Sequence, residues 1–189
     1  MFQQSVLRTL GVGVVGELAF HSAIRAVPVT LNTPGDDGAT NNVIGRAFTY
    51  VGNPDGDFDP NPVRAGGTGA FAGILGSPKA YALSGTPEGG ALAPNAAFPN
   101  GALVELIEET AGLFVNLGAA GAAVGDLVIY NTTTGELAPL TAGQPLPDGY
   151  SVVPGAVVVR YNSPAETGIA VIALNGPQPV GEPGAPGGV

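Results

Sequence analysis

The sequence predicts an all-β protein, an antiparallel β-sandwich or barrel of jelly-roll type. Short apolar runs of strand length alternate with turn signals, and several runs carry β-branched or aromatic residues. Glycine and proline are abundant, at 31 and 18 of 189 residues, as expected of a chain with many turns. Hydrophobic residues make up 44% of the chain, too many for a disordered protein. A chain of this length can bury about two thirds of its unfolded surface, so we expect a single domain with a real core.

Nine apolar runs are candidate strands. In the run at Val43–Val51, large side chains such as Ile44 and Phe48 alternate with small ones, and this period of two is typical of a strand. The two runs after residue 155 are apolar on both faces, which favours central strands of a sandwich. The nine runs are Ala26–Leu31, Val43–Val51, Phe71–Leu75, Lys79–Leu83, Ala102–Glu108, Leu113–Leu117, Leu127–Tyr130, Ala156–Tyr161 and Ile169–Leu174.

One β-hairpin is clear from the sequence, whereas helix is scarce. Asn131 and Gly135 bracket a short loop after the run ending at Tyr130, and glycine suits the positive φ of such a turn. Glu17–Ala26 is a candidate helix, ending before Pro28. The pattern of Leu103–Glu109 fits a helical turn or a strand and leaves both open.

The composition divides the chain into three parts. We expect residues 1–20 to form an extended N-terminal arm, residues 21–175 a single β domain, and residues 176–189 a Pro/Gly-rich tail. The first twenty residues lack the basic segment of a signal peptide. No apolar run approaches the roughly 20 residues of a membrane span. We therefore expect a soluble protein made in the cytoplasm.

The charge distribution excludes several kinds of partner. The net charge is −9, and the six basic residues are scattered, so no basic surface is available for nucleic acid or an anionic membrane. The absence of cysteine excludes disulfides and thiolate metal sites.

Gly11–Gly16 matches the spacing GxGxxG of dinucleotide-binding turns. A candidate helix follows, and Asp36 and Asp37 lie about twenty residues further on. However, no further alternation of strand and helix follows, so a parallel sheet around this turn is not expected. We interpret the motif as a flexible glycine-rich segment, and we expect no cofactor.

Other polar groups give little chemistry. Asn53–Asn61 spaces three carboxylates two apart, which suits a hard cation, but the glycine and glutamate positions of a calcium loop are not matched. His21 is the only histidine and has no cysteine with which to pair. Carboxylate pairs for sugar hydrolysis remain open, but the chain has no tryptophan to bind a sugar ring. The candidate carboxylates are Glu105, Glu108, Glu109 and Asp126.

The most informative passage is a glycine-rich stretch at residues 66–83. Small residues at this density let two backbones approach closely, but they provide almost no reactive groups. This is the composition of a packing surface. The close-packing candidates are Gly66, Gly67, Gly69 and Gly73.

Several blocks of the sequence, in order, resemble the structural cement (capsid decoration) proteins of tailed bacteriophages. Together they cover most of residues 13–174, whereas the acidic stretch Gly52–Pro62 and the tail lie outside the resemblance. The blocks are Gly13–Phe20, Asn42–Thr49, Gly66–Leu83, Phe98–Gly101, Val124–Tyr130 with Gly135–Leu137, and Gly168–Ile172.

The resemblance implies a non-enzymatic protein on the outer surface of an icosahedral head, made in the host cytoplasm. Proteins of this kind straddle joints between major capsid subunits, commonly self-associate, and have no catalytic residues or small-molecule substrate. The implied fold is a β-sandwich of jelly-roll type. The partners implied are the major capsid protein and copies of the chain itself.

Two arms and two arginines are the predicted contact sites. Proline-containing arms lose less entropy on docking than floppy ones, and the arginines suit acidic patches on a capsid. The predicted contact residues are Phe2, Leu7, Phe20, Arg25, Arg46, Pro177, Pro179 and Pro183. The alternatives are a receptor- or glycan-binding β module of a phage tail or fibre, and a small hydrolase.

Overall fold

The computed structural model describes residues 13–35, 40–52, 61–77, 97–118, 121–161 and 168–175. Within these ranges the chain forms nine β-strands and no helix, which confirms the all-β prediction. The strands are β1 (Arg25–Leu31), β2 (Ala47–Tyr50), β3 (Pro62–Ala65), β4 (Phe71–Leu75), β5 (Leu103–Asn116), β6 (Leu127–Asn131), β7 (Leu137–Leu140), β8 (Tyr150–Tyr161) and β9 (Ile169–Asn175).

All nine strands belong to one mixed sheet in the order β1-β3-β2-β4-β5-β9-β8-β6-β7. A further pairing of β1 with β5 closes the first five strands of this order into a ring. The prediction of an antiparallel sheet needs one correction, because β1 and β3 run parallel. Leu31 of β1 lies beside Val63 of β3, and both side chains are fully buried, so this parallel contact closes the ring over the core. The jelly-roll form stays a prediction.

The sheet encloses two hydrophobic cores that share β5. The first core fills the ring and includes Phe48, Leu75 and Leu106. The second lies between the outside of the ring and strands β6 to β9, and includes Tyr130 and Ile172. A strand that turns alternate side chains to opposite faces can serve both cores, and β5 is long enough to do so at its two ends.

The predicted elements are confirmed in part. The hairpin is confirmed as β6 and β7, with Gly135 at φ 75°. Leu103–Glu109 is strand, continuous with the run at residues 113–117. The run at Val43–Val51 is strand only from Ala47, because residues 44–45 form a turn. The expected helix at Glu17–Ala26 is wrong: this stretch is extended, with Leu18 bridged to Leu113 of β5 and Arg25 opening β1.

Candidate functional site

The N-terminal segment at residues 13–24 lies along the distal half of β5. The amide of Gly16 donates to the carbonyl of Phe114 at 2.8 Å, and the amide of Phe114 donates to the carbonyl of Glu17 at 2.9 Å. The amide of Ala19 donates to the carbonyl of Gly112 at 2.9 Å. β1 pairs with one edge of β5 only as far as Glu109, so this segment satisfies the next part of that edge, whereas β4 and β9 pair with the opposite edge. We call residues 13–24 the docked segment.

The docked segment packs on its own chain rather than standing clear of it. A Cβ on Gly13 would meet the ring of Phe114, and Val15 packs against Gly45. The motif at Gly11–Gly16 therefore ends in a packed stretch, and within the part of the chain that the structure describes no helix follows it. This differs from the flexible segment expected from the sequence. A dinucleotide turn needs a helix there to receive the phosphates.

Large apolar side chains remain exposed along the docked segment. We call them the apolar edge, and their exposed fractions run from 37% to 59% in Val14, Leu18, Phe20 and Ile24. The ring of Phe20 lies on Gly112, where a Cβ would collide with it. The guanidinium of Arg160 lies 5.5 Å from the centre of the same ring, a cation–π contact that holds Phe20 in place.

Arg25 forms an ion pair within the chain. Its Nε donates to Oε2 of Glu108 at 2.8 Å, while half of the arginine side chain stays exposed. Burial raises the pKa of the neighbouring Tyr50, the Glu108 carboxylate raises it further, and Arg25 lowers it. Glu108 is thus the internal partner of Arg25, and the capsid contact expected of this arginine stays a prediction.

Arg46 joins the ring to the β6–β7 hairpin. One terminal nitrogen donates to Asn41 Oδ1 at 2.6 Å and to the carbonyls of Thr40 and Thr134 at 3.2 Å. The other donates to Oε1 of Glu136 at 2.9 Å. Its side chain is only 18% exposed, so these internal contacts occupy most of the guanidinium. A capsid contact for this arginine also stays a prediction.

We expect Arg46→Met to lower the free energy of unfolding by about 1–3 kcal/mol, because four oxygens lose a charged donor. Glu136→Gln is the matched control. Glu136 is 62% exposed, so its part of the ion pair contributes only about 0–1 kcal/mol. Urea unfolding of both variants measures the difference. Equal losses would show that the ion pair, rather than the bonds to Asn41 and Thr134, carries the effect.

The four predicted packing glycines lie on β4 and in the turn between β3 and β4. Gly66 and Gly67 meet the hairpin loop: the Gly67 amide donates to the carbonyl of Thr132 at 2.6 Å. A Cβ on Gly69 would lie 2.6 Å from the Tyr50 carbonyl oxygen, and one on Gly73 would lie 2.8 Å from Leu106 Cβ. All four therefore approach other parts of the same chain closely. A role in contacts between copies stays a prediction.

Two of the carboxylates considered for sugar hydrolysis have hydrogen-bonding partners among the described residues. Glu108 is paired with Arg25, and Asp126 Oδ2 accepts from the amide of Ala123 in a tight turn before β6. Glu105 and Glu109 are exposed on β5, and His21 is exposed in the docked segment. Among the described residues, no group of three metal-ligating side chains comes together. No helix in the same residues could span a membrane.

Several predicted elements lie outside the described residues. They include the candidate strand Lys79–Leu83 and most of the acidic stretch 53–61. The predicted contact residues that also lie outside the described ranges are Phe2, Leu7, Pro177, Pro179 and Pro183.

A buried polar network at one end of the ring was not predicted. Asn42 is fully buried, accepts from the Thr33 hydroxyl at 2.5 Å, and donates to the Phe98 carbonyl and to Asn100 Oδ1 at 3.0 Å each. The Thr33 hydroxyl also accepts from the Ala65 amide at 3.0 Å. Three separate loops are tied together in this way. The one sequence signal was the presence of Asn42 and Asn100 at the edges of apolar blocks, where turn residues are common.

Comparisons with known proteins point to one family. The family described as "Structural cement protein (E217 gp24/Pam3 gp6)" matches residues 2–175. The structure is similar to a chain in a solved structure described as "The capsid of Myoviridae Phage XM1", with a TM-score of 0.58 and 14% sequence identity. The match covers 92% of this chain and 97% of that one, and at this identity it concerns the fold. No curated protein sequence matches the chain.

Proposed function

The chain belongs to the structural cement protein family, and we propose that it docks on the outer surface of a tailed-phage head and stabilises the shell by bridging major capsid subunits. Membership of the family makes it a structural component of the virion capsid. The contact that bridges major capsid subunits is our proposal beyond family membership. A cement protein of this kind works by many modest contacts, and their simultaneous engagement gives avidity beyond that of any single site.

The apolar edge is the observation that carries the proposal. Four large apolar side chains project from one extended segment, which is unusual for a surface that faces only water. The backbone beneath them is already hydrogen-bonded to β5. A contact surface that is ordered before binding loses less conformational entropy when it docks, so even a small apolar area contributes usefully.

The terminal segments extend the same proposal. We also propose that the N-terminal arm and the C-terminal tail contact neighbouring subunits. The residues proposed for these contacts are Phe2 and Leu7 in the arm, and Pro177, Pro179 and Pro183 in the tail. Phe20 belongs to the apolar edge, and half of the Arg25 side chain is exposed near Ile24, where it can meet an acidic patch of the shell. Multiple copies engaged around the head would then act as a clamp across subunit joints.

Val14→Asp is expected to weaken binding to cement-free heads by about tenfold, because the shell contact would have to desolvate a carboxylate. Val124→Asp is the control: Val124 is even more exposed but lies in the turn before β6. Binding is measured as occupancy per head against protein concentration, together with the melting temperature of the heads. Wild-type protein should saturate at a fixed stoichiometry and raise that temperature. If the protein does not bind heads but binds host cells or glycans, it is instead a receptor-binding module of a tail or fibre.

A further inference from the structure

Arg64 of β3 projects from the outside of the ring. Its neighbours Val63 and Ala65 are fully buried in the first core, and successive side chains of a strand point to opposite faces, so Arg64 points away from that core. Its stem packs on Gly67, where an added Cβ would lie 3.2 Å from Arg64 Cδ. The stem is therefore held by packing, while the residue as a whole is only half-buried.

The guanidinium of Arg64 has no partner among the residues that the structure describes. Its Nε is buried and makes no hydrogen bond. Of the other three arginines in the described ranges, two form ion pairs and the third lies over an aromatic ring. A buried donor that neither protein nor water satisfies is uncommon in native proteins, and here it belongs to a cation on a chain of net charge −9. Such a group favours the binding of an anion.

The surface around Arg64 suits a single carboxylate. The amide of Asn32 donates to the carbonyl of Val63 at 2.7 Å, which places the exposed Asn32 beside Arg64 on the same face. The amide of Val51 donates to the carbonyl of Pro62 at 2.9 Å, and Val51 is 39% exposed. We call Asn32, Val51, Pro62 and Arg64 the ring patch. It carries one positive charge, with polar and apolar neighbours.

We propose that the ring patch binds a carboxylate side chain of the shell protein, held by the two terminal nitrogens of Arg64. A guanidinium presents its donors in a fixed fork that matches the two oxygens of a carboxylate. Asn32 adds an amide donor, while Val51 and Pro62 offer apolar contact to the segment that bears the carboxylate. A dianion such as phosphate fits less well, because one positive charge stands on a strongly acidic chain. The inference rests on the proposed function for the source of the carboxylate, and the site itself can be tested without heads.

The ring patch provides a contact separate from the apolar edge. β3 pairs with β1 and β2, whereas the docked segment lies along β5. One arginine binds a free carboxylate weakly, with a dissociation constant of about 10–100 mM. The patch therefore contributes when other contacts already hold the partner beside it. A protein that bridges two subunits needs a second contact of this kind.

An NMR titration with acetate tests the site in free protein. The Nε–Hε signal of Arg64, identified by its loss in Arg64→Met, should shift saturably as sodium acetate replaces sodium chloride at constant ionic strength. The signal of Arg46, whose guanidinium is bonded within the chain, should stay in place. Sodium phosphate at the same ionic strength should bind more weakly than acetate, and the reverse order would overturn the assignment to a carboxylate.

The acidic stretch of the chain is the other source of a carboxylate. Asp55→Asn, Asp57→Asn and Asp59→Asn, combined in one variant, should leave the Arg64 signal unchanged in chloride buffer, because the site is open to another protein. A shift in that variant before acetate is added would mean that the chain fills its own site, and the inference would be wrong.

Binding to cement-free heads tests the partner. Arg64→Met should weaken binding about tenfold, and Arg64→Lys, which keeps the charge without the fork, should fall between that variant and wild type. Thr141→Glu is the matched control, since it makes the same change in net charge at an exposed position just after β7. Thermal unfolding of each variant verifies that it is folded.

An Arg64 signal that responds to acetate no more than to chloride would overturn the site. A normal acetate response, combined with wild-type head binding by Arg64→Met, would overturn the shell as the partner. Wild-type protein that binds acetate but never binds heads would reject the proposed function and leave the carboxylate site standing.

Discussion

Gly66→Ala is expected to lower the free energy of unfolding by about 3–5 kcal/mol. Gly66 has φ 64°, which an L-residue adopts at a cost of about 1 kcal/mol. A Cβ there would also lie 2.7 Å from the carbonyl oxygen of Thr132 and 2.9 Å from that of Asn131. Both obstacles are backbone, so relief requires the hairpin loop to move away from the ring. That movement would stretch the bond from the Gly67 amide to Thr132.

Gly143→Ala is the control that separates the cost of a positive φ from the cost of the steric contact. Gly143 has φ 85°, but a Cβ there would meet nothing within 4 Å. We expect Gly143→Ala to lower the free energy of unfolding by only about 1 kcal/mol, the cost of placing an L-residue at a positive φ. Urea unfolding gives both free energies, and a melting temperature lower by roughly 6–20 °C should accompany the Gly66 variant. Similar losses in the two variants would mean that the approach of the hairpin to Gly66 is looser than the structure has it.

The strands that could be predicted are those whose own residues alternate or are wholly apolar. β4, β6 and β9 were found within one residue of their observed bounds. β3 was missed because it begins with Pro62 and carries Arg64, so only Val63 and Ala65 reach the ring core. The start of β8 was missed because Pro154 and Gly155 interrupt its apolar pattern, although the strand continues through them.

The continuity of β5 could not be predicted for a different reason. Thr110, Ala111 and Gly112 separate two apolar runs and read as a turn. In the fold they lie at an irregularity in the pairing with β9. The Phe20 ring lies against Gly112 there, and the Ser22 hydroxyl accepts from the amide of Ala111. The docked segment therefore stabilises a stretch of strand that its own side chains do not specify.

Most features of the candidate site depend on partners far away in the sequence. Arg46 and Glu136 are 90 residues apart, and Arg25 and Glu108 are 83 residues apart. Local patterns carry no information on such pairs, so both arginines were taken as free to meet a capsid. The density of glycine predicted that the backbone at residues 66–73 would pack closely against another segment. It could not predict that this segment is the hairpin loop at Thr132. The resemblance to a family supplied the function that local chemistry alone left open.

The two cores make this small domain one rigid unit, which the proposed bridging of capsid subunits requires. β5 runs through both, the Arg46 guanidinium joins the ring to the hairpin, and the Gly66 turn presses on the same hairpin. These contacts connect the half that carries β1 with the half that carries β6 to β9. A protein that bridges two subunits must resist shear between the two contacts. Close-packed interiors have low compressibility, so they deform little under such a load.

Asn42→Leu is expected to lower the free energy of unfolding by about 3–5 kcal/mol, because the change removes a buried hub together with the hydrogen bonds that its partners make to it. The Thr33 hydroxyl loses its acceptor, and the Phe98 carbonyl loses a donor. Asn100 loses one bond but keeps those to the backbone of Thr33. Replacement by a residue of similar size leaves little cavity, so the loss reports mainly unsatisfied polar groups.

Asn32→Leu is the control for this prediction, since Asn32 is exposed and lies one residue before Thr33. A surface change of this kind should alter stability by less than about 0.5 kcal/mol. Hydrogen exchange adds a local readout: the amide of Ala65, which donates to the Thr33 hydroxyl, should lose protection in Asn42→Leu and keep it in Asn32→Leu. If Asn42→Leu unfolds at the wild-type urea concentration with that amide still protected, the network does not hold the ring closed. The closure would then rest on the apolar contact between Leu31 and Val63 across the parallel pair.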